Sequence, residues 1–317
     1  MSSAFVFPGQ GSQAVGMGRA LAETFPQARA VFDEVDSALS QSLSQLMFEG
    51  PEAELTLTAN AQPALMAVSL AVVRVLEAEA GLNLATQAKF VAGHSLGEYS
   101  ALAAAGAFSL SDTARLLRLR GDAMQKAVPV GQGAMAAIIG LEFGPVAEIA
   151  AEASKACGGE VCQAANDNGG GQVVISGAKA AVEKAMELAK AAGAKRALLL
   201  PVSAPFHCAL MQPAADAMQA ALAGVTIHAP CVPLVANVLA APVTDPEAIR
   251  SHLVEQVTGS VRWRESVGFM AAQGVTTFYE LGAGKVLSGL VKRIADTATG
   301  IAIGTPADID NFKSLQG

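Results

Sequence analysis

The 317-residue sequence is poor in the side chains with which proteins usually bind nucleic acids. Aromatic residues make up 5% of the chain, with one Trp and two Tyr, which is too few to build platforms that stack against bases. Acidic residues outnumber basic ones by 28 to 21, and the net charge of −7 gives no general attraction to nucleic acid or to an anionic membrane. We therefore expect no nucleic-acid partner.

Cysteine and long apolar runs are scarce as well. Cys157, Cys162, Cys208 and Cys231 form neither a CxxC pair nor a zinc-binding rhythm with histidine, so we expect reduced thiols, a cytoplasmic protein and no metal site. The N-terminus lacks the basic region of a signal peptide, and the longest apolar run, 61–73, is shorter than the ~20 residues of a membrane helix. No membrane partner is expected either.

Apolar residues are abundant by contrast. They make up 52% of the chain against 15% for charged residues, which allows a large buried core. Short apolar runs followed by tight turns, at 5–7 and 89–92, alternate with segments of helical periodicity such as 63–80. Strands that alternate with helices predict the α/β class with a largely parallel sheet.

The pattern of predicted strands and helices changes between residues 129 and 200. The patterns there predict, in order, strand 134–141, helix 145–156, strand 173–176, helix 180–192 and strand 197–202. The Asn- and Gly-rich segment 166–171 predicts a tight turn. We therefore predict a large domain of residues 1–128 and 201–317, into which a small α+β subdomain of residues 129–200 is inserted.

The pentapeptide Gly93-His94-Ser95-Leu96-Gly97 carries the clearest chemical signal. It lies between the predicted strand 89–92 and a predicted helix, 98–105. Its two glycines permit a strained turn that lifts the serine oxygen out of the sheet, and the positive end of the helix favours an anionic nucleophile. The pattern predicts Ser95 as a nucleophile for acyl chemistry; a glycine-rich turn with an incidental serine is the alternative.

A serine nucleophile needs a base, which is usually histidine. His94 adjoins Ser95, and the geometry of the turn points its side chain away from the position of a base. His228 and His252 lie in less constrained polar surroundings. His207, by contrast, lies in a loop after a strand and follows the serine in chain order. We predict His207 as the base rather than as an ordinary loop histidine.

The group that orients this histidine is not apparent in the sequence. Asp216, Asp245 and Glu280 are possible carboxylates, but none has a distinctive setting. A backbone carbonyl could hold the imidazole instead, because the task requires an acceptor and not a charge.

An oxyanion hole needs backbone N–H groups beside the nucleophile. The residue after the serine, Leu96, should supply one. The glycine-containing loop 8–13 follows a strand and is the best candidate for the second, unless it is a plain surface turn.

Arg120 occupies an unusual position on its predicted helix, which starts with Ser111 as N-cap. On a helical wheel Arg120 falls in the middle of the apolar face, whereas the other charged residues lie opposite, namely Arg115, Arg118, Asp122 and Lys126. A buried guanidinium needs an anionic partner. That partner is either an internal carboxylate or the carboxylate of a substrate gripped by two hydrogen bonds.

Together these motifs resemble the acyltransferase family of malonyl-CoA:acyl carrier protein transacylases over nearly the whole chain. The resemblance rests on the segments 7–13, 93–99, 120–125, 202–207 and 256–263. It implies a hydrolase-like α/β domain with a mainly parallel sheet and a small ferredoxin-like subdomain at the insertion.

The resemblance also implies roles for individual residues. Ser95 would be malonylated and His207 would be its base, with oxyanion-hole amides from Gln10 and Leu96. The main-chain carbonyl of Gln256 would orient the histidine.

The same resemblance assigns residues to the substrate. Arg120 would bind the free malonyl carboxylate, and Met124 and Phe206 would be substrate-binding, with the bulk of Phe206 narrowing the pocket. The implied partners are malonyl-CoA and acyl carrier protein, and the phosphopantetheine is attached to the carrier protein. The resemblance implies no metal or redox cofactor. We expect a monomer that supplies malonyl units to fatty acid synthesis.

Three other functions remain open on the sequence. A serine esterase or thioesterase could use the same serine and histidine, although Arg120 argues against a neutral acyl group. A trans-acting acyltransferase of a polyketide synthase would share every motif, and a non-catalytic module that docks carrier proteins would need none of the chemistry.

Overall fold

Two β-sheets organise the computed structural model, which describes residues 2–316. Their ten strands, in chain order, are β1 (Ser2–Phe7), β2 (Ala88–Gly93), β3 (Gly133–Ile139), β4 (Cys162–Asp167), β5 (Gln172–Ala178), β6 (Arg196–Leu199), β7 (Leu234–Ala236), β8 (Ala241–Val243), β9 (Val275–Leu281) and β10 (Thr299–Ile303).

Fifteen α-helices are found in the same described part of the chain. They are α1 (Arg19–Thr24), α2 (Pro26–Leu39), α3 (Leu43–Glu49), α4 (Glu52–Thr56), α5 (Thr58–Ala80), α6 (Leu84–Gln87), α7 (Gly97–Ala104), α8 (Leu110–Ala127), α9 (Phe143–Ala156), α10 (Lys179–Ala191), α11 (Gln212–Ala223), α12 (Pro246–Thr258), α13 (Trp263–Ala272), α14 (Val286–Ile294) and α15 (Pro306–Gln316). A short 3-10 helix, Ala209–Met211, precedes α11.

The large sheet has the strand order β10-β9-β1-β2-β7-β8. All neighbouring pairs are parallel except β7 and β8, which pair antiparallel. The central strand β1 buries four consecutive residues, 4–7, as is typical of a parallel strand covered on both faces. The predicted α/β class with a mainly parallel sheet is confirmed.

The small sheet has the order β4-β5-β3-β6, and its strands pair antiparallel. With α9 and α10 it forms the chain order β-α-β-β-α-β of a ferredoxin-like unit, and these two helices share an apolar core with the strands. All of it lies within residues 133–199, inside the range 129–200. The division of the chain into domains at residues 128 and 201 stays a prediction.

The junction between the two sheets corrects one sequence prediction. The segment 166–171 was predicted as a turn, but β4 continues to Asp167 and the turn begins afterwards. Tertiary contact explains the difference, because the Asp167 N–H donates to the carbonyl of Val261 and the Val261 N–H donates to that of Ala165. The start of α8 also differs: its N-cap is Ser109, whose hydroxyl accepts from the Asp112 N–H, and not Ser111.

Helix α5 forms the centre of the large core. By length and composition it could cross a membrane, but 83% of its most apolar window is buried within the protein. It packs against α8 and α2. Its close approach to α8 depends on Gly121, because a Cβ at that position would lie 2.7 Å from the carbonyl oxygen of Thr58.

Candidate active site

The turn 93–97, which we call the elbow, connects β2 directly to α7. Ser95 has a left-handed backbone with φ of 54°. A Cβ at Gly93 would lie 1.9 Å from the carbonyl carbon of Gly97, and one at Gly97 would lie 2.2 Å from the Phe7 oxygen. Both positions therefore require glycine, and the strained turn presents the serine hydroxyl above the end of the sheet.

Ser95 and His207 are in contact. The serine Oγ lies 2.7 Å from the histidine Nε2, and His207 Nδ1 lies 2.9 Å from the carbonyl oxygen of Gln256 and 3.2 Å from that of Gly259. Because carbonyl oxygens can only accept, Nδ1 carries the proton and Nε2 is free to accept the serine proton. The predicted arrangement of a histidine oriented by the main chain of Gln256 is present in this geometry, with Gly259 as a second acceptor.

The three carboxylates considered from the sequence all have other partners. Asp216 accepts from the side chain of Gln212, and Asp245 caps α12. Glu280 accepts from two backbone N–H groups at the start of α14. None of them orients His207.

Two influences keep His207 neutral. Burial is the larger, and the positive charge of Arg120 adds to it; together they lower the pKa of His207 to about 3. A neutral imidazole is the form that can accept a proton from serine.

Two backbone amides are available for an oxyanion. Within residues 2–316, the N–H groups of Gln10 and Leu96 donate to no protein acceptor. Leu96 directly follows the nucleophile at the start of α7, and Gln10 lies in the loop after β1, which lines the same cavity. These are the two positions that the resemblance implied.

Arg120 is 1% exposed and points at the elbow. Its guanidinium donates to the side-chain oxygens of Gln62 at 2.7 Å and Gln256 at 2.8 Å, and to Ser95 Oγ at 3.2 Å. It also lies over the ring of Tyr99, 5.7 Å from the centroid. Among residues 2–316 it forms no salt bridge, so neutral amides hold the buried cation beside the nucleophile.

A polar network that the sequence did not reveal supports the elbow from behind. Asn237 accepts from the Ser95 N–H at 2.8 Å and donates to the Gly93 carbonyl at 2.6 Å. The Gln256 side chain donates to the Ser95 carbonyl at 2.9 Å and to Glu98 at 3.1 Å, and Glu98 also accepts from the Asn237 N–H. Burial raises the pKa of Glu98 to about 7.

The remaining predicted residues line one cavity of about 720 Å³ between the two sheets. Met124 and Phe206 are both buried at its wall, together with Ser95, His207 and Arg120. The small sheet contributes Asn166 and Val174, and the turn after β4 contributes Asn168. The exposed charged residues of the lining are Glu52, Lys285 and Arg293. Within the described residues, no group of three or more His, Cys, Asp or Glu side chains is placed to hold a metal.

The missed residues had faint signals. Gln62 and Glu98 are polar residues on helices composed mainly of apolar residues, and Asn237 follows a buried strand. A polar side chain at such a position needs a partner, which is the argument already applied to Arg120.

The chain is similar to known proteins over nearly its whole length. Residues 4–304 match the family model described as the acyl transferase domain. The malonyl CoA-acyl carrier protein transacylase of Escherichia coli K12 is 51% identical over 304 residues, which are 96% of each chain.

Two solved structures are similar over almost the whole chain. The acyl-carrier-protein S-malonyltransferase of Bartonella henselae is 60% identical, with a TM-score of 0.96 and full coverage of both chains. A malonyl-transacylase in complex with a type II polyketide acyl carrier protein is 44% identical, with a TM-score of 0.95 and coverage of 99% and 100%.

Proposed function

Because this chain belongs to the acyl transferase domain family, we propose that it transfers malonyl groups from malonyl-CoA to the phosphopantetheine thiol of acyl carrier protein through Ser95. The transfer supplies malonyl units for fatty acid synthesis. The transacylase of Escherichia coli K12 matches 96% of the chain, and the structure of the S-malonyltransferase of Bartonella henselae matches all of it. Both similarities support the proposal.

The observation that carries the proposal is the surroundings of Arg120. A guanidinium out of water, held by the two neutral amides of Gln62 and Gln256, has its charge uncompensated at hydrogen-bond distance within residues 2–316. Its distance of 3.2 Å from Ser95 Oγ supports the proposal, because this charge is within reach of an acyl group carried by the serine. The carboxyl of Glu98 interacts with this charge without a hydrogen bond to it, so an acyl group that ends in a carboxylate can supply the directly bound anion, and malonyl is such a group.

Acylation begins with the transfer of the Ser95 proton to Nε2 of His207. The serine oxygen attacks the thioester carbonyl of malonyl-CoA, and the N–H groups of Gln10 and Leu96 stabilise the oxyanion. When the intermediate collapses, the C–S bond breaks, the CoA thiolate takes the proton from His207, and malonyl-Ser95 remains.

Deacylation reverses these roles. The pantetheine thiol of the carrier protein gives its proton to His207, and the thiolate attacks the ester carbonyl of malonyl-Ser95. The C–O bond then breaks and Ser95 recovers its proton from the imidazolium. Every proton transfer passes through His207, and the proposal includes neither a metal nor a redox cofactor.

The cavity lining also suits both malonyl donors and acceptors. Lys285 and Arg293 are exposed basic side chains that can meet the phosphates of CoA or of phosphopantetheine. We propose that the protein acts as a cytoplasmic monomer, with malonyl-CoA and acyl carrier protein as its partners and without nucleic-acid or membrane partners.

Intact-mass measurement tests the proposal. Mixing the wild type with malonyl-CoA should give a malonyl adduct that Ser95→Ala does not form, and competition with acetyl-CoA and methylmalonyl-CoA should favour malonyl-CoA over acetyl-CoA. Absence of an adduct on the wild type would favour a docking module without catalysis.

Two alternative functions are distinguished by where the malonyl group of the adduct is transferred. If malonyl-Ser95 passes to water as fast as to a pantetheine thiol, the protein is a thioesterase with the same serine and histidine. The similar structure in complex with a polyketide carrier makes a second comparison useful: transfer to fatty acid and polyketide carrier proteins should be measured side by side, and faster transfer to the polyketide carrier would contradict the fatty acid assignment.

A further inference from the structure

A chain of hydrogen bonds, buried except for its partly buried last link, connects Arg120 to the loop that contains Gln10. Arg120 donates to Gln62 Oε1 at 2.7 Å, and Gln62 Nε2 donates to Thr58 Oγ1 at 2.9 Å. The Thr58 hydroxyl in turn donates to Gln10 Oε1 at 2.9 Å. We call Thr58 and Gln62 the relay, because they are the two links between the guanidinium and the oxyanion loop.

The direction of the two hydrogen bonds of Gln62 is fixed. A guanidinium can only donate, so the oxygen of the Gln62 amide must face Arg120 and its nitrogen must face Thr58. The hydroxyl of Thr58 accepts from that nitrogen and donates its own hydrogen to Gln10 Oε1. The Gln62 nitrogen also lies 3.6 Å from the Met124 sulfur.

The relay is isolated from water and geometrically constrained. Thr58 is 0% exposed and Gln62 is 1% exposed, so water cannot readily replace a lost link between Arg120 and Thr58, whereas the link to Gln10 is partly buried. The two residues lie four apart on α5 and share one helix face. Gly121, next to Arg120, allows α8 to approach this first turn of α5.

We propose that Thr58 and Gln62 are positioning residues that couple a carboxylate bound at Arg120 to the oxyanion loop at Gln10. A substrate carboxylate competes for the guanidinium N–H groups and compensates the charge that polarises the Gln62 amide. The change passes through Thr58 to the Gln10 side chain and hence to the placement of its backbone N–H. The malonyl carboxylate would thus accelerate its own transfer, in addition to strengthening its binding.

This inference rests on the proposed function and goes beyond it. Binding at Arg120 alone predicts that the carboxylate improves the affinity for malonyl-CoA. The relay predicts that part of the preference for malonyl is expressed in the acylation rate at saturating substrate, and that this part is lost when Thr58 loses its hydroxyl.

The test compares two acyl donors on one variant. Thr58→Val should lower the single-turnover rate of malonyl-CoA acylation at saturation by about tenfold, as expected for a buried hydrogen bond whose partners stay unsatisfied. Acylation by acetyl-CoA, which lacks the carboxylate, should stay within about twofold of the wild type. Thr58→Ser keeps the hydroxyl and should restore most of the malonyl rate.

Thr113→Val is the matched control. Thr113 is also 0% exposed, but its hydroxyl donates only to the backbone oxygen of Ser109, so the substitution should leave both rates unchanged. An equal fall of the malonyl and acetyl rates in Thr58→Val would show a purely structural role and overturn the proposal. Unchanged rates for both donors would overturn it as well.

A double-mutant cycle combines Thr58→Val with Arg120→Ala. If Thr58→Val folds poorly, Gln62→Met takes its place in the same cycle. Without the guanidinium the relay has nothing to transmit, so the second substitution should no longer change the malonyl-to-acetyl ratio of rates. Additive effects would contradict the coupling. Failure of the proposed function would be seen separately, as a wild type that does not prefer malonyl-CoA to acetyl-CoA.

Discussion

Two regions face each other across the cavity and are built in different ways. On the side of the large sheet, Ser95 and His207 both have left-handed backbones and are held by polar contacts from segments far apart in the chain. On the other side, the small sheet contributes Val174 from a regular antiparallel layer with its own apolar core, and the turn after β4 contributes Asn168. The first region fixes reacting atoms, whereas the second provides a wall.

This difference shows which side of the cavity requires precise atomic positions. Strained backbones persist only where surrounding contacts determine them, and the elbow satisfies that condition through Asn237 and Gln256. Substitutions on the side of the large sheet should therefore lower the rate of bond formation. Substitutions in the small sheet should mainly weaken the binding of the thioester.

The largest effect should come from His207→Ala. Loss of the base should slow the acylation of Ser95 by malonyl-CoA by about 10³-fold, within the range typical of general-base catalysis. Single-turnover intact-mass kinetics measures this rate. His228→Ala removes an exposed histidine outside the site and should behave as the wild type; a similar loss in both variants would contradict the assignment.

Arg120→Ala should have the next largest effect. A charge-assisted hydrogen bond contributes about 1.5–3 kcal/mol, so the preference for malonyl-CoA over acetyl-CoA should fall by roughly ten- to a hundredfold. The ratio of kcat/KM values measures it. Arg115→Ala on the outer face of α8, where Arg115 pairs with Asp112, is the control and should keep the preference. Unchanged discrimination in Arg120→Ala would contradict the carboxylate assignment.

Much of the first region could be predicted from the sequence because its requirements are local. The glycines of the elbow, the order of serine before histidine, and an arginine on an apolar helix face all follow from the chemistry of short segments. The α/β class follows in the same way from the spacing of apolar runs.

The rest depends on contacts between distant segments. Asn237 is 142 residues away from Ser95, and only the folded sheet brings its amide to the elbow. The end of β4 was predicted as a turn because Asn and Asp favour turns locally, whereas pairing with Val261 extends the strand. Residues of this kind can be suspected as buried polar groups, but their partners cannot be assigned from periodicity.

A smaller effect is expected at Asn168, in the turn that follows β4 of the small sheet. Asn168→Ala removes the contact of 2.9 Å between its Oδ1 and Nε2 of His94. Loss of one neutral hydrogen bond should lower kcat/KM for malonyl-CoA by about two- to tenfold, chiefly through KM. Steady-state kinetics separates the two parameters. A fall in kcat comparable with that of His207→Ala would break the distinction between a catalytic side and a wall.

The smallest effect should be that of acid on the wild type. An ordinary histidine base with a pKa near 6.5 would lose about tenfold in rate between pH 7.5 and 5.5, because protonation removes its neutral form. Since burial and Arg120 lower the pKa of His207 to about 3, its neutral form persists over this range and the acylation rate should stay nearly constant. Removing the cation in Arg120→Ala should raise this pKa and shift the acid limb, measured with acetyl-CoA, toward higher pH.

Glu98 provides the control for the pH profile, because burial raises its pKa to about 7 and it contacts Gln256 beside the histidine. A step near pH 7 that disappears in Glu98→Gln would belong to this carboxyl group. A step near pH 6.5 that persists in Glu98→Gln would instead show that His207 titrates as an exposed histidine does. In that case water would reach the side of the cavity that holds the reacting atoms.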